Sequence, residues 1–353
     1  MRKLRVNSIV AILLAVCLMV CTFGCGKENS DGKDDGKTPG KGDSQAASKP
    51  LTNPLTGENN LNASQAGKRP VAVVVNNVPK ARPQWGLCTP DIVVEGLVEA
   101  GITRMLWLYS DVTQIPKVGS IRSARHDFIE VAEGFDAIFV HWGGSPNAYD
   151  AIKSRRVQDI DGKTRGQYFA RDTSRRVPKE HTGYTTGEKI QQAISDLSFR
   201  SDIKSTYATP FNFNKSAQTY SGGECKSIKI SFSDDYNHTF KYNAEDKLYY
   251  NYMNQNKMVD SDGKQMAITN VITLYIPSFK VINSSGSIDM DLTGGKGVIA
   301  SNGTYQNIKW EKGNTPSKMI KLYTEDGKEL KLNAGKSYIG LVPANRSGLS
   351  VIA

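Results

Sequence analysis

An α+β fold, with an N-terminal α/β domain on a mixed sheet and a smaller β-rich domain after it, is what three features of the sequence predict. Between about residues 69 and 200, continuous apolar runs alternate with segments of helical spacing. After about residue 205, short alternating segments are separated by turn residues. The length, 353 residues with 39% hydrophobic content, is enough for two cores. The runs at 71–75, 91–94, 105–109 and 137–140 are apolar at consecutive positions, as in strands buried on both faces. Ile121, Ala124, Phe128, Val131 and Ala132 recur at helical spacing, as do Ile190, Ala193, Ile194 and Leu197. Further on, Ile228-Ile230-Phe232, Leu248-Tyr250-Tyr252, Val271-Thr273-Tyr275 and Ile320-Leu322 alternate, with Asp262-Gly263 and Asp326-Gly327 as turns. The two domains are therefore expected at 69–204 and 205–353.

Ahead of them lies an address. Arg2, Lys3 and Arg5 precede an apolar stretch from Ile9 to Val20, shorter than the ~20 residues that cross a bilayer, so it reads as a signal peptide. Cys25, with small Gly24 before it and a polar segment after it, resembles a bacterial lipobox, although Thr22 stands where such signals usually carry Leu. Residues 1–25 are accordingly expected to end at a lipid-modified Cys25. Residues 26–68, rich in Lys, Asp, Gly, Ser, Asn and Pro, are expected to form a disordered tether. The protein would then sit on the outer face of the plasma membrane. Five cysteines exclude a disulfide scaffold, and pairing of Cys88 with Cys225 is left open. A net charge of +10 favours anionic partners, such as a wall polymer or an envelope protein, and no nucleic-acid motif occurs.

Three segments carry residue types suited to an anion or to proton transfer. In Val118-Gly-Ser-Ile-Arg-Ser-Ala-Arg-His-Asp-Phe128, Ser120 is placed to cap a helix, with Arg122, Arg125 and His126 sharing one face of its first turns. Cations there oppose the helix dipole, so the arginines either pair with Asp127, Glu130 and loop acids or hold a phosphate or carboxylate. After the strand at 137–140, His141-Trp-Gly-Gly144 forms a small-residue turn at the strand's C-terminal end, where open α/β sheets bind ligands. Gly143 and Gly144 offer amide groups to an anion, and His141 is either a general acid/base, with Glu95 as a carboxylate partner, or a structural histidine. The stretch from Lys153 to Lys179 holds nine lysines and arginines against three aspartates, including Arg171 and Arg175. It is either a solvated surface or part of a binding site.

Other chemistries find no pattern. There is no His-Glu-x-x-His or paired Cys-x-x-Cys, so no metal site or cofactor is expected. No Gly-x-Ser-x-Gly elbow occurs. Asp260-Ser-Asp-Gly263 reads as a hairpin turn, and Gly294-Gly-Lys-Gly297 reads as a turn rather than a phosphate loop.

The chain resembles the YerB family of bacterial lipoproteins. The likeness rests on Ala72-Val-Val-Val-Asn-Asn77, Asp91-Ile-Val-Val-Glu95, Gly101-Ile-Thr-Arg104, Gly119-Ser-Ile-Arg-Ser-Ala-Arg125, Gly134-Phe-Asp-Ala-Ile-Phe-Val-His-Trp-Gly-Gly-Ser145, Asp159-Ile-Asp-Gly162 and Phe169-Ala-Arg-Asp172, with Gly335-Lys-Ser-Tyr-Ile-Gly-Leu-Val342 like the family's last strand. The resemblance implies a lipid anchor, a polar tether, an α/β domain and a β-rich domain; it implies no catalytic residue. Two functions follow: a non-catalytic binding or scaffold lipoprotein, or an enzyme acting on an anionic wall substrate through Arg122, Arg125 and His141 or His126. Convergence of those side chains on one cleft would discriminate between them.

Overall fold

The computed structural model describes residues 51–353 other than 208, 210 and 285, so the signal peptide, Cys25 and the tether up to residue 50 lie outside the described residues. Ten strands form one mixed sheet: β1 Val71–Asn76, β2 Ile92–Leu97, β3 Thr103–Tyr109, β4 Ile138–His141, β5 Asp159–Asp161, β6 Asn270–Ile276, β7 Gly294–Ser301, β8 Thr304–Glu311, β9 Lys321–Thr324 and β10 Ser337–Pro343. Their order across the sheet is β9-β8-β7-β6-β10-β2-β3-β1-β4-β5.

Side chains alternate between the faces, and both faces are covered. Val71, Val73 and Val75 of β1 join Trp107, helix α3 (Gly187–Asp196) and a second sheet, Ser227–Ser231, Asn237–Asn243 and Leu248–Met253, in one core. Ala72 and Val74 join helices α1 (His126–Gly134) and α2 (Pro146–Arg155) in the other. This is why β1 and β3 are buried at every position and carry no polar stripe.

The α+β class stands, and parts of the layout differ from expectation. The two expected halves, 69–204 and 205–353, share one sheet: β10 lies between β2 and β6, parallel to both, with Ile92 opposite Ser337 and Gly96 opposite Leu341. The described residues, which begin at 51, fall within a single compact unit.

The tether ends earlier than composition suggests. Leu55 and Leu61 are buried, Asn53 Nδ2 donates to Asp91 Oδ1 at 3.0 Å, and the Gly335 amide donates to the Thr56 carbonyl at 2.8 Å. Two buried leucines anchor a stretch whose average composition is polar.

Gly294–Gly297 opens a strand instead of making a turn. Cys88 and Cys225 are both free thiols. Helix α2 has no apolar period to announce it, since only Ala148 and Ala151 are buried; Ser145 as cap and Pro146 at its first position start it.

A chain beginning at Arg69 should therefore melt more than ~5 °C below one beginning at Ser48. Loss of a buried leucine alone costs about 2–5 kcal/mol, and each kcal/mol is worth about 2–4 °C in domains of 150–250 residues. Scanning calorimetry of the two chains, with Leu55→Ala as a third, checks this; equal melting temperatures would show that 51–68 contribute nothing.

Candidate functional site

β1, β2, β4 and β5 run in one direction, so Asn76-Asn77, Glu95, His141-Trp142-Gly143 and Asp161 collect at one edge of the sheet. The turn after β4 is closed upon itself. His141 is fully buried, with Nε2 3.0 Å from Asp159 Oδ2 and Nδ1 2.7 Å from the Gly143 carbonyl. Both ring nitrogens are spent on acceptors, which makes the ring a strut. The Gly143 amide donates to Asp161 Oδ1 at 2.7 Å, and Tyr149 donates to Asp161 Oδ2 at 3.0 Å. Asp161 thus occupies the amide expected to meet an anion, while Gly144 bridges to Ala124.

The segment before α1 is extended, not helical. Asn76 N–H donates to the Ser120 carbonyl, Ile121 N–H to that of Gly183 and Arg122 N–H to that of Val74, at 2.8 to 2.9 Å. These ladder bonds use the backbone groups that a helix from Ser120 would need, so α1 starts at His126 with Arg125 as its cap residue. Arg122, Arg125 and His126 consequently diverge. Arg125 pairs with Glu99 and donates to the Ala124 carbonyl at 2.6 Å. His126 Nε2 lies 3.0 Å from Asp289 Oδ1 and 3.5 Å from Asp127 Oδ1. These three residues are the group with metal-ligating spacing among the described residues, and motif spacing did not show it because Asp289 comes from a distant hairpin, Phe279–Val281 with Ile288–Met290.

Arg122 instead joins a cluster of guanidinium groups. Arg104, at the head of β3, is buried; its Nη1 donates to the Ser123 carbonyl at 2.7 Å, and its Nε is buried without a partner. Burial and then the neighbouring Arg125 charge push its pKa down to about 9. Arg122 Nε is likewise buried and unpartnered, and its Nη1 reaches only the Glu180 carbonyl at 3.4 Å. Burial lowers its pKa too, opposed by Glu180 and reinforced by Arg125 and Arg171.

Arg171 stacks 4.1 Å over Trp142 and donates to the Lys179 carbonyl. Gly162 and Gly183 make room for that indole, since a Cβ at either would come within 2.7 or 2.8 Å of it. Arg175 lies apart, 4.0 Å over Trp85 and donating to the Ala81 and Pro83 carbonyls. Of the histidines, His181 borders the cluster: its Nδ1 is 3.0 Å from Asn76 Nδ2, and burial followed by Arg122 lowers its pKa. Arg104 and His181 were missed as site residues because a strand-end arginine and an isolated histidine carry no motif.

The family described as Protein of unknown function (DUF3048) matches with its N-terminal domain over residues 55–200 and with its C-terminal domain over 228–339. The Bacillus subtilis (strain 168) protein named "Putative lipoprotein YerB" is 33% identical over 283 residues, 78% of this chain and 82% of the relative. The chain belongs to the YerB-like family. The crystal structure of the YerB protein from Bacillus subtilis matches with a TM-score of 0.73 at 30% identity, covering 85% of this chain and 98% of that one. The family's two halves share the sheet described above, because the second match ends at residue 339, inside β10.

Glu95, expected beside His141, ties the two halves of this YerB-like chain together. It is fully buried and accepts from Asn77 Nδ2 at 2.8 Å and Tyr338 Oη at 2.9 Å, with His238 Nε2 at 3.2 Å; His238 Nδ1 is 2.9 Å from Asn251 Oδ1. Burial favours the neutral acid, but His238 and the surrounding donors outweigh it and hold the Glu95 pKa below the ordinary carboxylate value. A depressed carboxylate contributes stability above its unfolded pKa and loses it as pH falls through the folded value. Glu95→Gln should therefore cost roughly 3–5 kcal/mol at pH 7, as for one member of a buried pair, and less at pH 4. Urea unfolding at the two pH values checks it; an equal cost at both would show that the carboxylate charge is not what matters.

Proposed function

We propose that this chain is a lipid-anchored binding protein of the cell envelope that holds a phosphate- or carboxylate-bearing ligand at the cluster formed by Arg104, Arg122 and Arg171, without turnover. One observation carries the reading. Arg104 and Arg122 are desolvated, each has a buried Nε with no partner, Glu99 is taken by Arg125, and Glu180, the carboxylate that faces Arg122, is exposed and forms no ion pair with it. A buried cation without a counter-charge is costly, and an anion with several oxygens would satisfy both forks. The relative's name and the lipobox-like residues around Cys25 support the anchor. The enzyme alternative has little to stand on, because His141, His126 and Glu95 are each held by other groups.

Calorimetric titration with inorganic phosphate tests the site. The parent protein should bind, and should gain about 2.7 kcal/mol of stability at a hundredfold excess over Kd. Arg122→Ala should abolish binding with stability changed by less than ~0.5 kcal/mol, since no ion pair is lost. Arg125→Ala leaves Glu99 unpaired and should cost roughly 1–3 kcal/mol. Absence of phosphate binding, with Arg122→Ala as destabilising as Arg125→Ala, would make the cluster structural.

For the anchor, Cys25→Ser should move the folded protein from the membrane fraction to the soluble one. A cleaved variant still wholly in the membrane would refute lipidation at this residue.

A further inference from the structure

Next along the chain from Arg125, helix α1 meets the hairpin of Phe279–Val281 and Ile288–Met290. There His126 Nε2 faces two carboxylates at once, 3.0 Å from Asp289 Oδ1 and 3.5 Å from Asp127 Oδ1, and ligand atoms of the three residues lie within 4.8 Å of one another. Bonds of about 2.0–2.2 Å to one ion put neighbouring ligand atoms about 3.0–3.5 Å apart, from octahedral to tetrahedral angles. The two separations to Nε2 fit one shared centre. The hairpin makes no ladder with the ten-stranded sheet. Its seat on α1 rests on these side chains and on the Met290 amide, which donates to Asp127 Oδ1 at 3.0 Å.

Charge does not balance among these residues. Asp127 is buried, and the single N–H that Nε2 can carry does not fill two carboxylates. Even an imidazolium would cancel only one of the two negative charges. Lys280, directly opposite Asp289 across the hairpin, is exposed and forms no ion pair among the described residues. Of the neighbouring cations, Arg125 is committed to Glu99 and Lys312 to Glu130. A second observation points to a ligand. Ile282 N–H donates to the Ser287 carbonyl, which continues the hairpin pairing and puts Ser287 on the same face of its strand as Asp289. Ser287 is 1% exposed, and its hydroxyl has no partner. A buried hydroxyl without a partner is costly, and a water held on an ion would supply one. An imidazole nitrogen with carboxylate oxygens is a donor set for Zn²⁺, whereas Ca²⁺ and Mg²⁺ take oxygen ligands. Ligation at Nε2 needs the ring proton on Nδ1, which is buried and holds no competing hydrogen bond. Asp289, half exposed, gives an ion a way in.

We propose that His126 Nε2, Asp127 Oδ1 and Asp289 Oδ1 bind one divalent transition-metal ion of the Zn²⁺ class, with the Ser287 hydroxyl bonded to a water on it, and that the ion fastens the hairpin to α1. No sequence motif announces the site, because two ligands are adjacent on α1 and the third lies 163 positions from His126. A Cβ at Gly286 would lie 3.9 Å from that of Glu99, so the fastened hairpin borders the Glu99–Arg125 pair. The ion site does not rest on anion binding at the arginine cluster, and the Arg122→Ala protein keeps the two apart.

The probe is Zn²⁺, titrated by calorimetry into the full chain after treatment with a chelator. It should bind at least about tenfold tighter than Mg²⁺ or Ca²⁺, and should raise the melting temperature by about 4 °C or more at a hundredfold excess over Kd. Hydrogen exchange at the Met290 amide should slow when the ion is bound, because the hairpin is then held at Asp127 and Asp289 together. Asp289→Ala should weaken Zn²⁺ binding about tenfold or more and abolish the effect on Met290 exchange. Should that variant fail to fold, His126→Gln replaces it with the same expectation. Arg122→Ala should bind Zn²⁺ as the parent does, whatever its effect on phosphate. Absence of Zn²⁺ binding in the parent would overturn the proposal, as would equal affinity in the parent and the ligand variant, or tighter binding of Ca²⁺ than of Zn²⁺.

Discussion

The parallel seating of the last strand, Ser337–Pro343, between Ile92–Leu97 and Asn270–Ile276 is the constraint on which the rest of the structure depends. It joins residues almost 250 positions apart, so the chain between them must close a large loop whose entropy the sheet and both flanking layers offset together. Without that strand, the N-terminal strands would end at an open edge on β2, and the strands contributed by the second half would end at β6. With it, seven strands share a direction, and β1, β2, β4 and β5 deliver their C-terminal ends to one edge.

The buried polar groups on that side divide into two kinds. Glu95, Asp161 and His141 are surrounded by complementary donors or acceptors, so their burial fixes geometry. Glu95 in particular meets Tyr338 of the last strand and His238 of the second sheet, and specifies how three elements meet. Arg104 and Arg122 are the other kind. Their hydrogen bonds go to backbone carbonyls, Glu99 and Glu180 offset their desolvation only in part, and they repel Arg125 and Arg171. A group that satisfies all its partners needs nothing further to explain it, whereas an unsatisfied, like-charged group points outside the chain.

Secondary structure around the cluster shows a competition between local and tertiary preference. Residues 120–125 have a cap residue and helical apolar spacing, yet they are extended, because Val74, Asn76 and Gly183 supply ladder partners on both sides. A helix there would have left the end of β1 unpaired, and an unpaired buried backbone group costs more than the few tenths of a kcal/mol that separate local propensities.

The sequence by itself determined the class of the fold, most strand positions and the family. Continuous apolar runs such as 71–75 can be accommodated only by strands covered on both faces, and short alternating segments with Asp-Gly turns describe antiparallel pairs; both are local signals. Gly143 follows an apolar strand as the sequence indicated, and His141 is that strand's last residue. What only the tertiary structure decided was every pairing between distant residues: the merging of two expected domains into one sheet, the folding of residues 51–68 onto it, the capture of His141 by Asp159 and of Glu95 by His238, and the isolation of Arg122 beside Arg104. The physical reason is that an ionisable side chain looks the same in a sequence whether or not it has a partner, and partnership here is set by distant contacts, such as that of Glu95 with Tyr338, 243 positions away.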